Sequence, residues 1–315
     1  MQFRTTVPIT PLSSAINYQS HLVLMGSCFA ENMGERSSYF KFSSMVNPFG
    51  IIFNPVSLEN IISRSVTKQY FTADDLFFHN DLWHSFEVHS DKSNTDSESL
   101  LTALNTALDD LHEQLRRASH CLITLGTAWV YRSVRTGAIV ANCHKVPQRE
   151  FTKELLSVDT IENHLAALIE AIQSINPNIA VVMTVSPVRH SKDGFVENNR
   201  SKAHLITALH QVIAAHPEVY YFPSYEIVMD ELRDYRFYAQ DMLHPSPLAI
   251  DYIWERFTQA CITPASYPIM KEVDAIQKAL QHRPFNPSSP SHLQFLNHLQ
   301  QKIQSLQDRH PTITF

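Results

Sequence analysis

Three apolar runs, HLVLMG at 21–26, CLITLGT at 121–127 and IAVVMTVSP at 179–187, constrain this chain more than any other feature. Each is short for a buried helix and too continuous for a strand with one wet face, so each reads as a strand covered on both sides. Stretches of helical period lie between them. CFAENMGERSSYF follows the first run, LLTALNTALDDLHEQLRRA precedes the second, and IENHLAALIEAIQSIN (161–176) and NNRSKAHLITALHQVIAAH (198–216) flank the third. The segment KFSSMVNPFGIIFNP adds a strand and a loop at 47–50, with Ser57 as the expected N-cap of a helix through Arg64. VYYFPS (219–224) gives a last short strand, and PSPLAIDYIWERFTQAC (245–261) opens with prolines where a helix N-terminus accepts them. Strands alternating with helices predict an α/β fold around a parallel sheet.

Two stretches break the alternation. Residues 68–118 hold FFHNDLWHSFEVH, whose HNDL centre suits a hairpin, then a Ser/Asp-rich linker and a helix, and read as an insertion over one end of the sheet. Residues 265–315 are polar, with RPFNPSSPSH as linker and LQFLNHLQQKIQSLQ as an amphipathic helix. They read as an appendage to a domain spanning 1–264.

A formal charge of −6 without a Lys/Arg run disfavours nucleic acid or an anionic membrane as partner. No run approaches the ~18 apolar residues of a spanning helix, and the N-terminal stretch lacks a signal-peptide pattern. The expectation is a soluble, cytoplasmic protein with a small-molecule or carbohydrate ligand and no cofactor; its oligomeric state is not specified by sequence. The four cysteines form no CxxC pair. His79, His84 and His89 recur every five residues, but no metal-binding frame accompanies them, so no metal site is predicted.

The chain has only six glycines, where average usage would give about 22. One of them, Gly26, ends the first strand directly before Ser27. In an open α/β sheet ligands bind outside the carboxyl ends of the strands, and a serine there sits beside the free N–H groups of a helix start. Ser27 is therefore either a nucleophile or an ordinary helix N-cap. QDMLHPS (240–246) places Asp241 three residues before His244, a spacing that lets the carboxylate hold one imidazole nitrogen while the other faces outward. Gly50 in NPFG and Gly126 in TLGTAW each follow a strand, where either a backbone N–H faces an oxyanion or turn geometry alone demands the glycine. Arg132, Lys145, Arg189 and His190 are placed either to line a cleft and recognise an anionic or hydroxyl-rich substrate or to form surface salt bridges. The aromatics Trp83, Trp129, Tyr235, Phe237 and Tyr238 suit stacking on a sugar, or the core.

Taken together, GSCFAENMG, NPFG, TLGTAWVYR, ANCHKVP and DMLHPS resemble the GSCFA domain family, within the SGNH (GDSL-like) hydrolase superfamily, over roughly residues 20–260. The resemblance implies a flavodoxin-like three-layer α/β/α sandwich and metal-free ester hydrolysis or acyl transfer. By position, it implies Ser27 as nucleophile and oxyanion donor, Gly50 as a second N–H donor, His244 as general base and Asp241 as its orienter. The superfamily's third block is Gly-x-Asn-Asp, whereas this chain has Gly126, Thr127, Ala128 and Trp129. The missing Asn leaves Asn47, Thr127 and Asn142 as substitute donors. The expected activity is that of a serine esterase or deacylase acting on a short acyl ester; the alternatives are an acyltransferase and a non-catalytic binding protein.

Overall fold

Alternation within the buried runs decides the layers. In the first strand Val23 and Met25 enter one hydrophobic core while Leu22 and Leu24 enter another. Ile123 and Leu122, and likewise Met183 and Val182, divide the same way. A sheet whose strands send alternate side chains into two cores must be sandwiched between two helical layers.

The computed structural model describes residues 5–315. The central sheet contains β1 (His21–Gly26), β2 (Ser43–Val46), β5 (His120–Leu125), β9 (Ala180–Val185) and β10 (Tyr220–Tyr221). Two smaller sheets stand apart from it: the hairpin β3 (Phe77–His79) and β4 (Leu82–His84), and a three-stranded antiparallel sheet of β6 (Trp129–Ser133), β7 (Ile139–Val140) and β8 (Phe151–Leu155). The helices are α1 (Cys28–Tyr39), α2 (Pro55–Val66), α3 (Ser97–Arg117), α4 (Val158–Ile175), α5 (Phe195–Ala215), the single turn α6 (Ser224–Glu226), α7 (Pro247–Cys261), α8 (Tyr267–Leu280) and α9 (Pro290–Arg309). Among the described residues no helix is long and apolar enough to cross a membrane.

All pairs in the central sheet are parallel, in the order β10-β9-β5-β1-β2. Counted within that sheet alone, the order is 2-1-3-4-5, the flavodoxin arrangement. Side chains of α2, α3, α4 and α5 fill one core, and those of α1, α7, α8 and α9 fill the other. The α/β/α sandwich expected from the sequence is therefore present.

Four local expectations change. The N-cap before α2 is Asn54, whose side chain accepts from the Ser57 N–H, so Ser57 lies inside the helix. Helix α3 is not part of an insertion: Leu100, Leu104, Leu108, Leu111 and Leu115 are buried in the sheet's own core. What stands outside the layers in that region is the hairpin and its flanking turns. In the tail, Met270, Val273 and Ile276 of α8 and Leu299, Ile303 and Leu306 of α9 share a core with α1 and α7, so the tail packs on the domain. The antiparallel sheet of β6, β7 and β8 had no counterpart in the sequence reading.

Candidate active site

Gly26 is a glycine for a reason of space. It has φ +135°, and a Cβ built there would lie 2.2 Å from the carbonyl oxygen of Thr124 on the neighbouring strand. No other residue tolerates both. This tight passage lets β1 end against β5 and turn at once into α1. It lies at the switch point of the sheet, where the order reverses between β1 and β5 and a crevice opens at the carboxyl ends of the strands.

Ser27 is the first residue beyond the passage and is only 3% exposed. Its backbone is extended, and its Oγ accepts the Phe29 N–H at 3.2 Å, capping α1. Cys28 follows, but burial, with the nearby Glu31 adding to it, raises its thiol pKa, which keeps it protonated and a poor nucleophile.

The Asp241–His244 pair comes from the loop ahead of α7. Asp241 Oδ1 accepts the N–H groups of Leu243 (2.9 Å) and His244 (3.0 Å), and Oδ2 meets His244 Nδ1 at 2.6 Å. The backbone donors of His244 and Leu243, with the imidazole behind them, hold the Asp241 carboxyl down at about 2. An ionised carboxylate can only accept, so Nδ1 carries the proton and Nε2 presents its lone pair. That is the tautomer a general base needs. Both side chains of the pair are nearly half exposed.

Ser27 and His244 line the same cavity, of about 680 Å³, together with Cys28, Thr127, Asn142 and His190. Among the described residues no hydrogen bond joins Ser27 Oγ to the imidazole. Such bonds are often long before substrate binds and tighten in the complex. A second cavity of about 760 Å³ shares Arg189, Ser191 and Leu243 with the first.

The predicted oxyanion donors fare unequally. The Ser27 N–H donates to Thr124 O at 3.1 Å, and the Gly50 N–H donates to Asn47 O at 2.8 Å within its own turn. Gly50 has φ +73° and a Cβ there would meet His89 and Asp91, so tight packing accounts for the glycine. The Gly126 N–H is held by Phe53 O at 2.8 Å. Asn47 braces the site from behind: its Oδ1 accepts the Gly26 N–H and its Nδ2 reaches Glu31. Donors left without an acceptor among the described residues include the N–H of Cys28 at the start of α1, the N–H of Thr127 and Nδ2 of Asn142, all in residues lining the cavity.

The basic residues also separate. Arg132 forks onto Glu154 and donates to Gly137 O, and it does not line the cavity. Lys145 is likewise absent from the lining. Arg189 lines both cavities, and its guanidinium contacts Met229 Sδ. His190 lines the cavity that holds Ser27 and His244 and stacks on Phe53; burial, then the Lys202 charge, pushes its imidazole down to about 4, so it is neutral. The regularly spaced histidines are used locally: His84 contacts Ser93 and the His79 carbonyl, and His89 caps a short turn through Asp91 N–H. Among the described residues no group of three or more His, Cys, Asp or Glu side chains could hold a metal ion.

The residues that sequence reasoning missed lie on α5. Lys202 is 1% exposed, and its Nζ donates to Gly126 O and Ser186 O, both at 2.7 Å. Burial pushes its ammonium down to about 7, with Cys28 acting in the opposite direction. Its neighbour Ser201 meets Thr127 Oγ1 at 2.9 Å and accepts the Ala128 N–H at 2.7 Å. Asn198, one turn earlier, accepts the His190 N–H. The only signal for these residues in the sequence is the polar cluster NNRSK at the start of a helix that must bury one face.

The profile of the GSCFA family matches residues 21–257, which span every element of the central sheet and the whole of the site. A second profile, described as the C-terminal domain of GSCFA domain proteins, matches residues 273–315, the region of α8 and α9. No curated protein matches the chain. The chain belongs to the GSCFA family.

Proposed function

We propose that the protein is a serine esterase or deacylase of the SGNH type, acting on an acyl ester at Ser27. The observation that carries this reading is that Ser27 and an Asp241-oriented His244 line one cavity at the switch point of the sheet. His244 Nε2 takes the Ser27 hydroxyl proton as Oγ attacks the ester carbonyl carbon. The resulting oxyanion is met by donors among the Cys28 N–H, the Thr127 N–H and Asn142 Nδ2. Collapse of the intermediate expels the alcohol, which receives the proton from His244, and a water activated by the same imidazole then releases the acid. Arg189 and neutral His190 supply polar contacts to the acceptor part of the substrate. A carbohydrate-borne ester suits this wall, and transfer to a second alcohol would use the same groups.

A binding role without chemistry is the second reading. It is favoured by the N–H groups of Ser27 and Gly50 being engaged and by the Ser27 hydroxyl serving as a helix cap. Hydrolysis of a chromogenic acetate ester separates the two. The esterase reading expects turnover by the wild type that is lost in both Ser27→Ala and His244→Ala. Turnover indistinguishable in all three would remove it in favour of the binding role.

A further inference from the structure

We propose that Lys202 is a positioning residue of this site, whose ammonium turns the Thr127 N–H into the cavity as an oxyanion donor. The inference rests on the serine hydrolase reading above and supplies a substitute for the missing asparagine.

The peptide unit joining Gly126 to Thr127 sets the direction of that N–H. No described peptide bond is cis, so the carbonyl of Gly126 and the N–H of Thr127 point in opposite directions. The Gly126 oxygen is held at 2.7 Å by Lys202 Nζ, which is fully buried and not part of the cavity lining. The Thr127 N–H is thereby aimed away from the interior. It has no acceptor among the described residues, and Thr127 lines the cavity beside Ser27.

The rest of the loop is locked from the same helix. Ser201 grips Thr127 Oγ1 and the Ala128 N–H, and Thr127 Oγ1 also accepts the Trp129 N–H at 3.0 Å. The hydroxyl of Thr127 is therefore committed to the scaffold, which leaves its N–H as the group that faces substrate. The second Lys202 bond, to Ser186 O, ties the end of β9 to the end of β5. Nζ also lies 5.9 Å from the Tyr225 ring centroid, and no carboxylate pairs with it among the described residues. Burying a lysine amine without a counter-ion is costly, and its placement as a donor to two strand-end carbonyls beside a cleft is what a preorganised electrostatic site requires.

The test compares the full-length wild type with Ser27→Ala, Lys202→Met and a Thr127 variant in which the backbone amide is replaced by an ester, all on the same chromogenic ester. For Lys202→Met, folded by circular dichroism, the expected result is a ~10²-fold fall in kcat with KM little changed, because an oxyanion donor acts on the transition state. The amide-to-ester variant should fall by at least a similar factor, because it removes the N–H and also weakens the Gly126 carbonyl as an acceptor for Lys202, and it decides the matter if Lys202→Met does not fold. Wild-type kcat in a folded Lys202→Met, or in the amide-to-ester variant, with Ser27→Ala inactive, would overturn the role of Lys202 and leave the hydrolase reading standing. Equal turnover by wild type and Ser27→Ala would overturn both.

Discussion

The floor and the rim of the cavity are built on opposite principles. The floor, from Gly26 and Ser27 to Thr127 and Lys202, is buried and held by contacts between residues far apart in sequence: Gly26 against Thr124, Asn47 behind Gly26, Lys202 across Gly126 and Ser186. The rim, from Tyr238 to Ser246, is held largely by its neighbours in the chain. Ala239 N–H donates to His244 O, Met242 N–H to Ala239 O, and Asp241 caps its own turn. Tyr238, Pro245 and Ser246 anchor the two ends of the rim by packing, and between them a long bond runs from the Arg189 N–H to Leu243 O, 3.4 Å. The contrast teaches that the rim can be altered with little cost to the fold, whereas the floor cannot. On the proposed reading, changes in the floor should cost folding free energy, and rate as well where Ser27, Thr127 or Lys202 is touched, whereas changes in the rim should cost rate with little loss of stability.

Asp241→Asn is the sharpest way to probe that separation. Losing the carboxylate removes the group that fixes the His244 tautomer, and turnover should drop by ~10⁴-fold, as judged by kcat for the chromogenic ester. The side chain is nearly half exposed, so the melting temperature should barely move. A large loss of stability would show that the rim is part of the core structure after all.

Gly26→Ala is the opposite case. A methyl group 2.2 Å from a backbone oxygen at φ +135° forces the two central strands apart, with an expected loss of ~3 kcal/mol or more in urea unfolding. Near-native stability would mean that the passage between β1 and β5 is looser than it looks.

Lys202 adds a pH signature to the floor. Its folded pKa, about 7, lies below its ordinary value of 10.5, so between those two pH values the unfolded chain holds a proton that the folded chain has shed. The contribution of this group to stability therefore rises as pH increases through that window. Burial also raises the pKa of several Cys and Tyr side chains, whose ionisation when unfolded works the other way at higher pH. The readout is therefore the melting-temperature difference between wild type and Lys202→Met, which should shift in favour of the wild type from pH 7 to pH 9. A flat difference would place the Lys202 proton elsewhere.

Arg132→Ala should do least. Its ion pair with Glu154 is more than a third exposed on both sides and lies off the cavity, so stability should change by about 0–1 kcal/mol and turnover by less than twofold. A large rate effect would extend the cavity wall, to which Trp129, Tyr131, Val140 and Phe151 of the antiparallel sheet already contribute, as far as Arg132.

What the sequence revealed follows the same division. The buried strands were legible because short, nearly continuous apolar runs have few alternatives. The placement of Ser27 and the Asp241–His244 contact were legible because their signals are local: a strand end before a helix, and a carboxylate three residues from a histidine. Lys202 was not, because a lysine in a helical stretch ordinarily faces water, and only the approach of Gly126 and Ser186, 76 and 16 residues away, makes it a buried clamp. The oxyanion assignment failed for Gly50 on similar grounds, since its N–H is spent within a turn that spacing alone does not define. Helix α8 was hidden by its polar composition, although Met270, Val273 and Ile276 fall three residues apart on its buried face.

The central claim is that Ser27 is an activated nucleophile, and covalent labelling tests it most directly. A fluorophosphonate probe applied to the wild type, followed by mass spectrometry of the peptides, should place one adduct on Ser27, and His244→Ala should abolish it. No adduct on the wild type, or an adduct that persists unchanged in His244→Ala, would contradict the account.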